Sequence, residues 1–188
     1  MEMHIERWKG CEECPLHSTR RRVVVGRGAV PCDVLILGEA PGKAEDSLGA
    51  AFVGRAGHFL DSVIAEALGY FEVPIRVGFG NVLGCIPVDE DGEKASSPPP
   101  ASAVACRPRL EEYVKLCSPK VIVCAGQFAE TWTSPTKKID LGDVPRVSMV
   151  HPAAVLRAPT AQQPSMRRAM VVTVRDAIRR YVTGGEMK

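Results

Sequence analysis

Asp33-Val-Leu-Ile-Leu-Gly-Glu-Ala-Pro-Gly42 is a run of four apolar residues that stops at a glycine- and proline-rich turn. An unbroken apolar run this short fits a strand buried on both faces, as in a parallel sheet. Ile75 to Val82, Val121-Ile-Val-Cys124 and Val147 to Val150 read as further strands. Between them lie helical patterns. From about Gly57 to Leu68, the residues Phe59, Leu60, Val63, Ile64, Ala67 and Leu68 share one face, with Gly69 as the stop. A second helix runs to about Cys117 with Pro108 early in it, and a short one spans Gln127 to Trp132. A last helix, about Ser165 to Val182, has Met170, Val171, Val174, Ile178 and Tyr181 on its inner face. Alternating strands and helices predict an α/β fold with a parallel sheet covered on both sides. In such sheets ligands bind at the carboxyl ends of the strands, where the loops after Leu37, Val82 and Val150 fall.

A chain of 188 residues, 45% hydrophobic and 24% charged, suits one globular domain spanning 1–188, without repeat or linker. No apolar run approaches the ~20 residues of a membrane span. The segment Met1 to Lys9 is too charged for a secretory signal, so a cytoplasmic monomer is expected. Residues 1–22 read as an irregular entry segment, and 86–100 as an exposed loop, acidic at Asp89, Glu90, Asp91 and Glu93 and ending in Ser96-Ser-Pro-Pro-Pro100. A net charge of +2 is no nucleic-acid signature. Its distribution is uneven, with a knot at Arg20, Arg21 and Arg22 and a row along the last helix that a solvated face explains equally well.

Seven cysteines without an export signal argue against a disulfide framework. Cys11-Glu-Glu-Cys14 is a C-x2-C pair able to reach one metal or cluster. The pair lacks the strand-then-helix setting of a redox dithiol, and no second close pair offers a zinc site. Cys85 and Cys106 flank the long loop and could each add a ligand. Cys32, Cys117 and Cys124 sit in or beside apolar elements and read as core thiols. Spacing alone points to a metal or cluster without choosing which.

Taken in order, several segments resemble the family 4 uracil-DNA glycosylases. They are Cys11-Glu-Glu-Cys14-Pro15-Leu16, Gly38-Glu-Ala-Pro-Gly42 with Glu45-Asp46, Phe52-Val-Gly-Arg-Ala-Gly57, Asn81-Val82, Cys106-Arg-Pro108 and His151-Pro-Ala-Ala-Val-Leu-Arg157. The run from Gly38 to Gly57 carries most of the specificity. The resemblance implies a three-layer α/β/α sandwich around a four-stranded parallel sheet. It also implies a [4Fe–4S] cluster on Cys11, Cys14, Cys85 and Cys106, with residues 1–32 as a cluster-binding entry segment.

The same resemblance assigns roles in flipping uracil from single- or double-stranded DNA and hydrolysing its N-glycosidic bond. Phe52 stacks on the flipped base, and Asn81 reads the N3–H and O4 edge that distinguishes uracil from cytosine. His151 donates to O2 as charge develops on the leaving base. Backbone groups of the Glu39, Ala40 and Gly42 turn help hold the base. Ala40 stands where the best-known uracil glycosylases carry an aspartate, so Glu45 is expected to position or activate the water, with Glu39 and Asp46 as alternatives. Gly42 replaces a methyl-excluding tyrosine. Arg55 and Arg157 are candidate phosphate contacts. The chain departs from the family at Gly84-Cys85-Ile86-Pro87, where a basic Lys-Cys-Arg-Pro stretch is usual, and in its longer acidic loop. Two other readings remain open at this point: a glycosylase for another altered base, and an inactive iron–sulfur DNA-binding protein.

Overall fold

The computed structural model describes residues 1–88 and 97–185. One sheet is built from β1 (Arg27–Gly28), β2 (Val34–Gly38), β3 (Val77–Asn81), β4 (Val121–Ala125) and β5 (Arg146–Met149), in the order β1-β3-β2-β4-β5. The strands β3, β2, β4 and β5 run parallel, as the apolar runs predict. The addition is β1, which pairs antiparallel with β3 through Arg27↔Phe79 and Gly28↔Gly78. Two residues are too few to carry a period-two signal, so this edge strand could not be read in advance.

The helices among the described residues are α1 (Glu2–Trp8), α2 (Lys43–Leu48), α3 (Arg55–Leu68), α4 (Pro100–Ala105), α5 (Arg107–Cys117), α6 (Gln127–Thr133), α7 (Pro152–Arg157) and α8 (Gln163–Tyr181). Side chains alternate across β2 and so feed two cores. Val34 and Ile36 pack with Leu60, Val63 and Ile64 of α3 and Met170, Val174 and Ile178 of α8. Leu35 and Leu37 pack with Leu110, Tyr113 and Val114 of α5 and Ala129 of α6. Val34, Leu35, Ile36 and Leu37 are all 0% exposed. At about 1.5–3 kcal/mol for each fully buried aliphatic side chain, this strand anchors both layers. The result is the expected α/β/α sandwich. No helix among the described residues is long and apolar enough to cross a membrane.

Two expectations need correction. The entry segment is not wholly irregular, since α1 packs against α5. His4 and Trp8, one turn apart, are buried there. Glu112 of α5 takes His4 Nδ1 at 2.9 Å, Trp8 Nε1 at 3.1 Å and Arg7 Nη1 at 3.1 Å. Nor is 86–100 exposed throughout, because Ile86, Pro87 and Pro98 are buried and Pro100 opens α4. Proline fits there because the first helical N–H needs no intrahelical partner. The acidic residues Asp89, Glu90, Asp91 and Glu93 lie outside the described residues.

Candidate active site

Parallel register sets the ends of β2 and β3 side by side, with Gly38 opposite Asn81. Past the strands the two segments stay tied. The Val82 N–H donates to the Gly38 carbonyl at 2.9 Å, and the Leu83 N–H to the Glu39 carbonyl at 3.0 Å. Gly38 lacks a side chain where Phe52 and Asn81 both arrive. A Cβ there would stand 2.5 Å from Phe52 Cζ and 2.6 Å from Asn81 Oδ1. His151, just past the end of β5, brings its ring to 6.3 Å from that of Phe52, with 30° between their planes. Residues 38, 52, 81 and 151, distant in sequence, thus meet at the carboxyl end of the sheet.

Phe52 and His151 are each held in place. Phe52 has a left-handed backbone, φ 54°, an uncommon state for an aromatic residue. Arg27 clamps it, Nε donating to the Ala51 carbonyl at 2.7 Å and Nη2 to the Phe52 carbonyl at 3.2 Å. The same guanidinium lies 3.9 Å over the Phe79 ring and pairs with Asp61 at 2.5 Å. His151 caps α7, its Nδ1 accepting the Ala153 N–H at 3.1 Å. A ring nitrogen that accepts carries no proton, so the neutral imidazole holds its proton on Nε2 and is a donor there.

The carboxylates divide in use. Glu45 Oε2 accepts the Gly42 N–H at 3.1 Å and Oε1 the Gly54 N–H at 2.8 Å. One side chain therefore bridges the turn after β2 and the loop carrying Phe52. Asp46 turns the other way, accepting the Arg21 N–H at 3.0 and 3.1 Å. Glu39 and Ala40 line a cleft of about 620 Å³ together with Gly126, Phe128, Trp132, His151 and Arg157. Phe52 and Asn81 do not line that cleft, being only 6% and 4% exposed. Arg157 and Arg55 are exposed; Arg157 lines the cleft, and Arg55, at the start of α3, does not.

Cys32, Cys117 and Cys124 are core thiols, as expected. Cys85 is buried in the same core, and Cys14 and Cys106 pack against it. Cys106 Sγ accepts the Gly84 N–H at 3.3 Å and Arg109 Nε at 3.4 Å. Burial, foremost, pushes the Cys85 thiol up to about 12; the charges of Cys106 and Cys14 add to this, and Arg20 and Arg109 oppose it. Cys85 is thus near enough to Cys14 and to Cys106 to feel their charge, and Cys11 is in the same C-x2-C stretch as Cys14. Among the described residues no three His, Cys, Asp or Glu side chains are spaced to hold a single ion. A cubane cluster is wider than one ion and spreads its thiolates further. The surroundings fit such an anionic group: Arg20, Arg107 and Arg109 each keep a buried side-chain nitrogen without a protein partner.

The sequence reading missed Arg27 and Arg109. Arg109 had a signal: it sits on the face of α5 that also carries Leu110, Tyr113, Val114 and Cys117, where a buried cation demands a reason. Arg27 had none, since its role depends on a strand of two residues.

Comparison with known proteins accounts for this convergence. The Uracil DNA glycosylase superfamily profile matches residues 25–175. The chain is 35% identical over 144 residues to the type-4 uracil-DNA glycosylase of Thermotoga maritima, covering 77% of this chain and 71% of that protein. With the type-4 uracil-DNA glycosylase of Pyrobaculum aerophilum it shares 33% identity over 170 residues, covering 80% and 82% respectively. With that of Archaeoglobus fulgidus it shares 29% over 170 residues, 81% of each chain. The match spans the sheet, the glycine turn and the His151 loop alike, and the chain belongs to the uracil DNA glycosylase superfamily, among its type-4 uracil-DNA glycosylases.

Proposed function

We propose that this protein is a monofunctional DNA-repair glycosylase that removes uracil from DNA and leaves an abasic site. The observation that carries the reading is the convergence of Phe52 and Asn81 on the bare Cα of Gly38, with the His151 ring stacked 6.3 Å from that of Phe52. Excision requires the target base to leave the stack and enter a pocket that reads its Watson–Crick edge. Phe52 stacks on that base. The Asn81 amide offers an acceptor to N3–H and a donor to O4, a pairing that cytosine mismatches.

As the glycosidic bond breaks, negative charge grows on uracil O2 and the sugar becomes cationic. Nε2–H of His151 donates to O2, its tautomer fixed by the Ala153 amide. Because the imidazole is already the right donor, little reorganisation opposes the transition state. Water then adds to the sugar, and Glu45 orients it with a lone pair left over from its two backbone contacts. Glu39, beside His151 on the cleft, is the alternative carboxylate. The Glu39–Gly42 backbone contacts the base, and Arg55 and Arg157 meet the phosphates. Cys11, Cys14, Cys85 and Cys106 hold a [4Fe–4S] cluster, which supplies structural cross-linking between the entry segment and the loops behind Asn81 rather than chemistry at the base.

The test is uracil release from single- and double-stranded oligonucleotides by anaerobically purified protein, beside His151→Ala and Asn81→Ala. Loss of about 100- to 1000-fold in rate for His151→Ala, with the fold intact, is the expected result. A wild-type protein that is folded and holds its cluster yet releases no uracil would overturn the proposal. A panel of other altered bases would then define the substrate.

A further inference from the structure

Arg109 is 1% exposed, and a guanidinium cannot shed its charge at any ordinary pH. Burying such a charge costs several kcal/mol unless an anion faces it. No carboxylate pairs with Arg109 among the described residues. Its Nη2 donates to the carbonyls of Asn81 at 2.7 Å and Val82 at 2.9 Å. Its Nε donates to Cys106 Sγ at 3.4 Å. Its Nη1 is buried and has no protein partner. Two carbonyl dipoles and one sulfur do not balance a full buried charge.

The backbone is shaped to admit this side chain. A Cβ on Gly84 would lie 2.9 Å from Arg109 Nε and 3.1 Å from its Cδ. Glycine at that position lets the guanidinium pass beneath the Gly84–Cys85 segment. The Gly84 N–H then joins Arg109 in donating to the same Cys106 sulfur. Two N–H donors, one of them cationic, thus converge on one sulfur.

We propose that Arg109 is the buried counter-ion of the iron–sulfur cluster and a positioning residue for Asn81, joining the cluster to the strand end that reads uracil. The proposal rests on the cluster reading above and goes beyond it. A cubane held by four thiolates carries net negative charge, which is the partner the guanidinium otherwise lacks. Hydrogen bonds and charge around a ligand sulfur are among the levers that set cluster stability and potential. The fork to Asn81 and Val82 fixes the carbonyl line from which the Asn81 side chain projects. Loss of the cluster would leave Arg109 uncompensated and release that line.

The test compares wild type with Arg109→Met and Arg109→Lys. Methionine replaces a buried charge with similar length, a change cores often accept. Lysine keeps the charge but loses the two-pronged fork. Iron and sulfide content, the visible absorption of the cluster and its decay in air are measured together with KM and kcat for a uracil oligonucleotide. Arg109→Met should lose its cluster about 10-fold faster than wild type and raise KM about 10-fold. Arg109→Lys should keep a near-wild-type cluster lifetime with a raised KM. If Arg109→Met fails to fold, the lysine variant decides: a shortened lifetime with an unchanged KM overturns the proposal. A folded Arg109→Met with wild-type lifetime and KM overturns it as well. Wild-type protein without iron or sulfide would sink the cluster reading itself, a result separable from either.

Discussion

The guanidinium of Arg27 donates to the backbone carbonyl of Phe52 at 3.2 Å, across 25 residues of sequence, and so restrains an aromatic residue held at φ 54°. An edge strand thereby sets the ring that we propose stacks on the base. Arg27→Ala removes the contacts to the Ala51 and Phe52 carbonyls and to Asp61. We expect a stability loss of ~2–3 kcal/mol at about 1 kcal/mol per hydrogen bond. Denaturant unfolding reads that loss. Steady-state kinetics should show KM rising more than kcat falls, because the ring is misplaced while the Ala153 amide still holds His151.

Gly38→Ala tests the convergence itself. The new Cβ would overlap both Phe52 and Asn81, and at 2.5 and 2.6 Å neither contact is tolerable. Overpacking of this kind costs ~1–3 kcal/mol. Uracil binding should fall well beyond what that stability loss explains. Titration of a uracil oligonucleotide at a temperature where the variant stays folded would check it, and near-wild-type affinity would refute the pocket.

Glu45→Gln separates bridge from chemistry. An amide can still accept one backbone N–H but not two, so about 1–2 kcal/mol of stability should go. If the carboxylate also orients water, kcat should fall ~100-fold or more with KM little changed. A kcat within about tenfold of wild type would leave Glu45 as a bridge between loops and move the water to Glu39.

Acid should loosen the start of the sheet. Hydrogen bonds from Arg76 foremost, aided by its charge and that of Lys120 and opposed by burial, hold the Asp33 carboxyl down at about 2. A carboxyl depressed in the folded state stabilises it above the unfolded pKa of about 4. That contribution shrinks as pH falls from about 4 and is gone below about 2. Asp33→Asn should therefore cost ~1–2 kcal/mol at neutral pH, discounted for the half-exposed Arg76, and little near pH 2. Urea midpoints measured for both proteins across that range would reveal the convergence.

The elements legible in the sequence were those with a long local signal. The apolar strand Val34 to Leu37 and the periodic faces of α3 and α8 are self-evident because burial on fixed faces requires those residues at those spacings. The helix α1 was not, since seven residues are too short to be stable alone and are held by Glu112 on a distant helix. The strand β1 was hidden for the same reason, its pairing being supplied by β3.

The candidate site divides along the same line. Gly38 to Gly57, Asn81 and His151 could be named from sequence because their segments match the motifs of the family that the chain resembles. Sequence set Cys32, Cys117 and Cys124 apart as core thiols, but it gave no sign that Cys85 would be buried in the same core with Cys14 and Cys106 packed against it. Tertiary structure alone decided that Phe52 is clamped by Arg27, that Glu45 bridges two loops and that Arg109 lies between Cys106 and Asn81. Those are contacts between groups many residues apart, and no local periodicity encodes them. They arise when the parallel register brings the strand ends together and the resulting burial forces every charge and backbone carbonyl there to find a partner.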